Sequence, residues 1–451
     1  MPVGVLCAVR GPGETAVVTA LDGASGRLTV QRRCADLAEL LAAAAAGLGQ
    51  LAVVSADLPH LDREAVAQLH AARVRVLALV GLPPGQAERM GALGVDAVLA
   101  DDAEARLLVA AVLSLAAQRD PDLGEPHPGW VARLDGAPVP VDQAGADPGS
   151  TAGRARGRVV AVWGPTGAPG RSTVAVNLAA ELAALQPEAA AASPADPRGA
   201  LIIDADTYGG TVAQLLGMLD ESPGLAAAAR AAGQGNLGLA TLAALTPVVA
   251  PGLRVLTGIS RANRWPELPA SALEVVWELA RGLAAWTVVD CGFSLEQDEA
   301  LSYDTRAPRR NAATLSALQA ADIVVVVGSG DPVGVQRLVR ALIDLANLTV
   351  PVTGRRLVVV NRLRASAAGR RPAEALTETL RRYAGVDAPH FVPDDRAGVD
   401  AALLAGATLR EAAAGSPARR AIAALAAQLV RPGPAPDRTG TARAVRRGRG
   451  R

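Results

Sequence analysis

The chain of 451 residues contains no lysine, so all 45 of its Lys/Arg side chains are arginine. Arginine stays protonated in proteins, which excludes a Schiff-base amine and a lysine general base. Three cysteines, Cys7, Cys34 and Cys291, lie far apart with no CxxC pair. That leaves neither a disulfide framework nor a cysteine-rich zinc site, and a reducing compartment is expected. Five Trp, three Tyr and two Phe are too few for base-stacking platforms of the single-stranded RNA kind. The four histidines, His60, His70, His127 and His390, show no ligand spacing. Charge of either sign is also lacking, since 45 basic groups against 44 acidic ones give +1, and no global field draws nucleic acid. The most apolar stretch, residues 40–56, is broken by Gly47, Gly49 and Gln50. It reads as a helix, a turn and a buried strand rather than a bilayer span. The opening MPVGVLCAVRGPG lacks a charged n-region and has too short an apolar run for a signal peptide, so a cytoplasmic protein is expected.

The length implies two or three domains at roughly 150 residues each. Residues 1–118 alternate β-branched runs (VGVLCAV, LTVQ, LAVVSA, VRVLALV, VDAVLA) with helical patterns. Buried strands with little polar alternation predict a parallel sheet covered on both faces, and five of them fit a flavodoxin-like α/β layout. The segment resembles a response-regulator receiver domain, in which an Asp ending the third strand accepts phosphate four residues before a proline. In SADLPHLD that spacing before Pro59 falls on Ser55, and Asp57 is two residues off. No acidic pair follows the first strand, and the lysine expected after the fifth cannot exist in this chain. A degenerate receiver serving docking or dimerisation is therefore expected, rather than a phosphorylated switch. Residues 119–157 are rich in Pro, Gly and Asp and read as a disordered linker, with Trp130 a candidate for docking on a neighbouring surface. Residues 158–431 form a second α/β series with strands expected at VVAVW, ALIID, LRVLTG, WTVVD, DIVVVV and RLVVVN, and 432–451 read as a disordered Arg-rich tail.

The stretch VVAVWGPTGAPGRSTVAVNLAAELAAL orders a buried strand, a glycine-rich turn and an amphipathic helix. Glycines let successive amide hydrogens face one point, and the helix N-terminus adds partial positive charge, so the turn is an anion cradle. Gly164, Gly167 and Gly170 supply the turn, Ser172 is placed to ligate Mg²⁺ and Thr173 to hold a phosphate. The usual Gly-Lys-Ser/Thr ending is replaced by Gly170-Arg171-Ser172, and the first glycine position holds Pro165. Arg171 keeps the charge in a bulkier, planar group that prefers bidentate contacts.

Together GPTGAPGRST, DADTYGG, VVDCG, AADIVVVV and VVVNRLR resemble the ParA/MinD branch of P-loop ATPases. The likeness is greatest to its CpaE-like or TadZ-like subgroup, in which a degenerate receiver precedes the ATPase. The resemblance implies a P-loop NTPase domain with a mostly parallel sheet, binding ATP and Mg²⁺. By position it assigns phosphate contacts to Gly167, Gly170, Arg171, Ser172 and Thr173, and orientation of the attacking water to Asp206. Asp204 would support Mg²⁺ or fold the switch, Asp290 would hold magnesium through water, and Asn361 would contact the adenine edge. Arg364 stands where a guanine reader needs an acid, which favours ATP over GTP. From the residues alone, Asp204 and Asp206 also read as solvated loop acids, Asp290 as a strand-end carboxylate and Asn361 as a turn residue. Cys291 reads as structural rather than reactive. Arg309 and Arg310, at the start of a helix after the expected switch loop, either reach phosphate or solvate that face.

One departure bears on mechanism. The family carries a signature lysine that crosses the dimer to the partner's nucleotide, and this position holds Thr166. Such a cation contributes about 10³ to 10⁵ in rate, so slow hydrolysis is expected unless something substitutes for it. Two readings follow. One is a nucleotide-dependent homodimer of spatial organisation, serving Flp-type (tad) pilus assembly, septum placement or chromosome segregation at a pole or the inner membrane face. The other is a non-hydrolysing scaffold recruiting partners through its receiver-like domain. The Arg-rich tail is the sequence support for weak DNA or anionic-membrane contact. The last apolar helix is alanine-rich and reads as a packed terminal element rather than a membrane anchor.

Overall fold

The computed structural model describes residues 2–24, 26–81, 85–118, 130–132, 138–140, 156–186, 198–218, 222–297, 308–349 and 351–431. Two α/β sheets organise them. In the first, β1 (Val3–Ala8), β2 (Leu28–Arg33), β3 (Leu51–Ser55), β4 (Arg75–Val80) and β5 (Ala97–Ala100) run parallel in the order 2-1-3-4-5, the flavodoxin-like order. Val and Leu fill these strands because both faces are covered. Leu6, Val54 and Ala78 point to one set of helices and Val5, Val53 and Leu77 to the other. Two short strands from the stretch expected to be linker, β6 (Trp130–Ala132) and β7 (Pro138–Pro140), extend the β5 edge. Proline is tolerated in β7 because it is the outermost strand. The rest of that stretch between residues 119 and 155, and the tail 432–451, lie outside the described residues.

The second sheet contains β8 (Arg158–Trp163), β9 (Ala200–Ala205), β10 (Val248–Ala250), β11 (Leu253–Leu256), β12 (Trp286–Cys291), β13 (Ile323–Ser329), β14 (Arg355–Leu363) and β15 (His390–Pro393). Their order is 10-11-9-12-8-13-14-15, all parallel except the β10–β11 hairpin. The sequence reading included six of these strands. The two it lacked, β10 and β15, are edge strands of three and four residues, too short for a periodic signal. With β8 between β12 and β13, the strands that follow it in the chain pair on both of its sides, and the turn after β8 opens at the carboxyl ends where such sheets place ligands.

The helix Arg171–Ala184 is buried from Val174 to Ala183 on almost every side. The helix Pro417–Val430 packs across it through Ile422, Leu425 and Leu429. Glu181, buried in the first helix, is held by Arg419 at 2.7 and 3.1 Å and by Arg410 at 3.2 Å. The terminal apolar helix is thus a packed element. Among the described residues no helix is long and apolar enough to cross a membrane.

The two sheets' helices meet. Arg63 Nε donates to the Ser271 carbonyl at 2.8 Å, Ser271 Oγ donates to Glu64, and Arg89 Nε donates to the Gln234 carbonyl at 3.2 Å.

Candidate functional site

The turn after β8 ends at Gly170, which caps the helix Arg171–Ala184 with φ 83°. A Cβ added there would sit 2.3 Å from Asn361 Nδ2, so glycine is required for both conformation and space. Asn361, ending its buried run on β14, donates to the Pro169 carbonyl at 2.8 Å. Its amide is therefore tied to the loop, beside a pocket lined in part by Gly170, Thr173, Asn361, Pro393, Asp394 and Val399.

The β-ladder brings the strand-end acids together. Asp290 pairs in register with Asp204 on one side and Val162 on the other. Arg171 reaches back from its helix: Nη2 donates to Asp206 Oδ2 at 2.8 Å and Nη1 to the Gly164 carbonyl at 3.2 Å, while Nε lies 3.9 Å from Asp290 Oδ1. The Arg171 side chain is 12 % exposed and that of Asp290 0 %. Neither Asp290 oxygen nor Arg171 Nε has a partner at regular hydrogen-bond geometry. Burial pushes the Asp290 carboxyl up to about 6, against the opposing pull of Arg171 and the nearby Ser172 hydroxyl.

Asp204 has a different environment. Its oxygens accept from the backbone N–H of Asp206 at 3.1 Å and of Val212 at 3.1 Å, folding the loop between them. Burial, then the charge of Asp290, raises its pKa to about 8. Asp206 Oδ1 accepts from Tyr208 N at 2.9 Å, which turns its other oxygen to Arg171. Cys291 is fully buried, which pushes its thiol pKa up and makes it inert.

A second ring of residues joins the loops after β9 and β12, and sequence reasoning missed it. The Tyr208 hydroxyl donates to Asn311 Oδ1 at 2.9 Å, and Asn311 Nδ2 donates to Ser294 Oγ and the Glu296 carbonyl. Tyr208 also stacks on Phe293 with ring centroids 4.6 Å apart. Arg310 lies over the Tyr208 ring at 4.3 Å and donates to the carbonyls of Thr207 and Ala262. Arg310 therefore holds the loops to each other, which is neither of the two roles expected for it, and Arg309 is exposed. The run Tyr208-Gly209-Gly210 after an acid-ended strand was the available signal; its partners lie about a hundred residues on.

The corresponding end of the first sheet is chemically plain. Ser55 is buried and accepts from the backbone N–H of Arg10 at 2.8 Å, and Asp57 pairs with Arg10 at 3.5 Å in solvent. No group of three or more His, Cys, Asp or Glu that could hold a metal occurs among the described residues.

No protein-family profile matches the chain, and no curated protein matches it. Solved structures do. A ParA family ATPase from Chlorobium tepidum TLS is 18% identical over 61% of this chain and 99% of its own, with a TM-score of 0.49. The cell division ATPase MinD of Pyrococcus furiosus is 17% identical over 60% and 98%, with a TM-score of 0.45. The septum site-determining protein MinD of Pyrococcus horikoshii OT3, complexed with Mg-ADP, is 17% identical over 60% and 96%, also at 0.45. Likeness this remote does not carry activity across.

Proposed function

We propose that the chain binds ATP with Mg²⁺ at the 164–173 loop and uses the nucleotide as a conformational and dimerisation ligand. The observation that carries this is Asp290, fully buried, with neither oxygen in a regular hydrogen bond, beside a helix N-terminus and 3.9 Å from Arg171 Nε, which lacks one too. Buried polar groups are almost always hydrogen-bonded, so a buried acid and a guanidinium that complete no regular hydrogen bond across 3.9 Å support a site that receives a charged ligand. The donor set fits the group: a hydroxyl at Ser172 and a carboxylate at Asp290 are hard oxygen ligands suited to Mg²⁺. That ion supplies neutralisation of charge on the phosphates.

The remaining work falls to this chain's own residues. Loop amides from Gly167 to Thr173 cradle the phosphates, and Arg171 leaves Asp206 to pair with them. Asp206, freed of its partner, orients a water. Asn361, already fixed against Pro169, borders the pocket proposed for the base. Asp204 keeps the 206–212 loop folded instead of touching metal.

Thr166 leaves the site without the family's crossing lysine, so turnover on the order of 10⁻³ per second or slower is expected. In the cell this suits a switch of spatial organisation in the CpaE/TadZ-like manner, positioning pilus, septum or segregation machinery from the cytoplasm at a pole. The same absence, with a receiver-like domain that has Ser55 at the acceptor position and no acidic pair after its first strand, favours as second reading a scaffold that binds ATP without hydrolysis. Equilibrium titration with ATP, with and without Mg²⁺, plus a turnover assay tests both. Binding with slow turnover supports the switch, binding without turnover the scaffold, and turnover of several per second or no binding contradicts the proposal.

A further inference from the structure

A second guanidinium lies against the phosphate loop. Gly167 has φ 69°, and a Cβ added there would meet Arg337 Nη1 at 2.1 Å and Cζ at 3.3 Å. Arg337 therefore packs directly on the loop backbone next to Thr166, which is exposed. It stands on a rigid support: the helix Pro332–Ala346 is capped by Asp331, which accepts from Gly334 N, and is anchored by buried Val335, Leu338, Ala341 and Leu345. Among the described residues Arg337 has no hydrogen-bond or ion-pair partner. Arg171, Arg281 and Arg419, in contrast, are each paired with a carboxylate.

Arg337 is solvent-exposed, and no carboxylate among the described residues pairs with it. A guanidinium lying against the edge of an anion cradle and free of any protein carboxylate is complementary to a phosphate group through bidentate hydrogen bonds. We infer that Arg337 contacts the terminal phosphate of a bound triphosphate, a binding contact that does not restore the catalytic cation absent at Thr166. This rests on the nucleotide reading above. The phosphate chemistry is the same whether the nucleotide sits in the same chain's loop or in that of a second copy.

The test is titration of AMP-PNP and of ADP, each with Mg²⁺, onto the wild-type chain, Arg337→Ala and Arg337→Lys. Arg337→Ala should bind AMP-PNP about tenfold more weakly, the effect of one charge-assisted hydrogen-bonding group, and bind ADP within about twofold of the wild type. Arg337→Lys should recover part of the loss, and thermal midpoints should stay within a degree or so because Arg337 is exposed and no hydrogen bond or ion pair within the described residues is removed. If the loss persists at concentrations where light scattering shows monomers, the phosphate is in the same chain; if it appears only with the dimer, it belongs to the second copy. Unchanged AMP-PNP affinity, or equal losses for AMP-PNP and ADP, overturns the role of Arg337 alone. A wild-type chain that binds neither nucleotide overturns the nucleotide reading as well.

Discussion

The two parallel sheets differ most where they are most alike, at the carboxyl ends of their central strands. In the first sheet β3 ends in a serine satisfied by a backbone amide, and the adjacent pair Arg10–Asp57 is 50% and 62% exposed. In the second, buried Asp290 on β12 and buried Asp206 just after β9 face Arg171, whose side chain is 12% exposed, and three side-chain atoms lack a hydrogen-bond partner. Architecture is shared, but among the described residues only the second sheet bears buried charged groups that lack regular hydrogen bonds. Topology positions a site, and desolvated charge is what marks it as functional.

Substitution of the two arginines gives the largest contrast. Arg171→Ala strands the buried Asp206 carboxylate and should lower unfolding free energy by about 3–5 kcal/mol in chemical denaturation. Arg10→Ala breaks a solvated pair and should cost about 1 kcal/mol or less. Equal effects would erase the distinction.

Next in size is Asp290→Asn. It removes a buried charge, so the nucleotide-free chain should be no less stable than the wild type, while Mg²⁺-dependent nucleotide affinity falls about 10–100-fold. Calorimetric titration with and without Mg²⁺ reads both branches.

pH sharpens the comparison further. Asp290 and Asp204, raised to about 6 and about 8 from 3.8, hold protons that the unfolded chain releases. In that window the folded state binds more protons, so stability must fall as pH rises from 5 to 8. The slope is at most about 1.4 kcal/mol per pH unit for each proton. Asp204→Asn should flatten the upper part of the curve. Nucleotide affinity with Mg²⁺ should run the other way and strengthen with pH through about 6, as Asp290 ionises. The smallest effect is expected of Tyr208→Phe, which loses one hydrogen bond to Asn311, about 1 kcal/mol, and should loosen the 206–212 loop in hydrogen exchange.

What the sequence revealed and what it hid divide along contact range. The glycine-rich turn, Arg171, Asp206 and Asp290 were legible because each lies at the end of a β-strand run or at the start of the helix after it, and the chemistry is written within a few residues. The parallel, doubly covered first sheet was legible because uninterrupted Val and Leu runs demand burial on both faces. Arg337 lies 170 positions from Gly167 and carries no local mark, since an arginine on an amphipathic helix is ordinary until the sheet sets it beside a loop. Asn311 was hidden likewise, and so were the partners of Arg310, because both depend on how the turns after β9 and β12 fold together. The linker reading rested on composition, which does not register strands as short as β6 and β7.

Hydrogen–deuterium exchange of the full chain with and without Mg-ATP tests the central claim most directly. Slowed exchange of the amides from Gly167 to Thr173 on addition of nucleotide, lost in Asp290→Asn, is the expected result. Nucleotide that leaves the exchange of these amides unchanged would contradict the account.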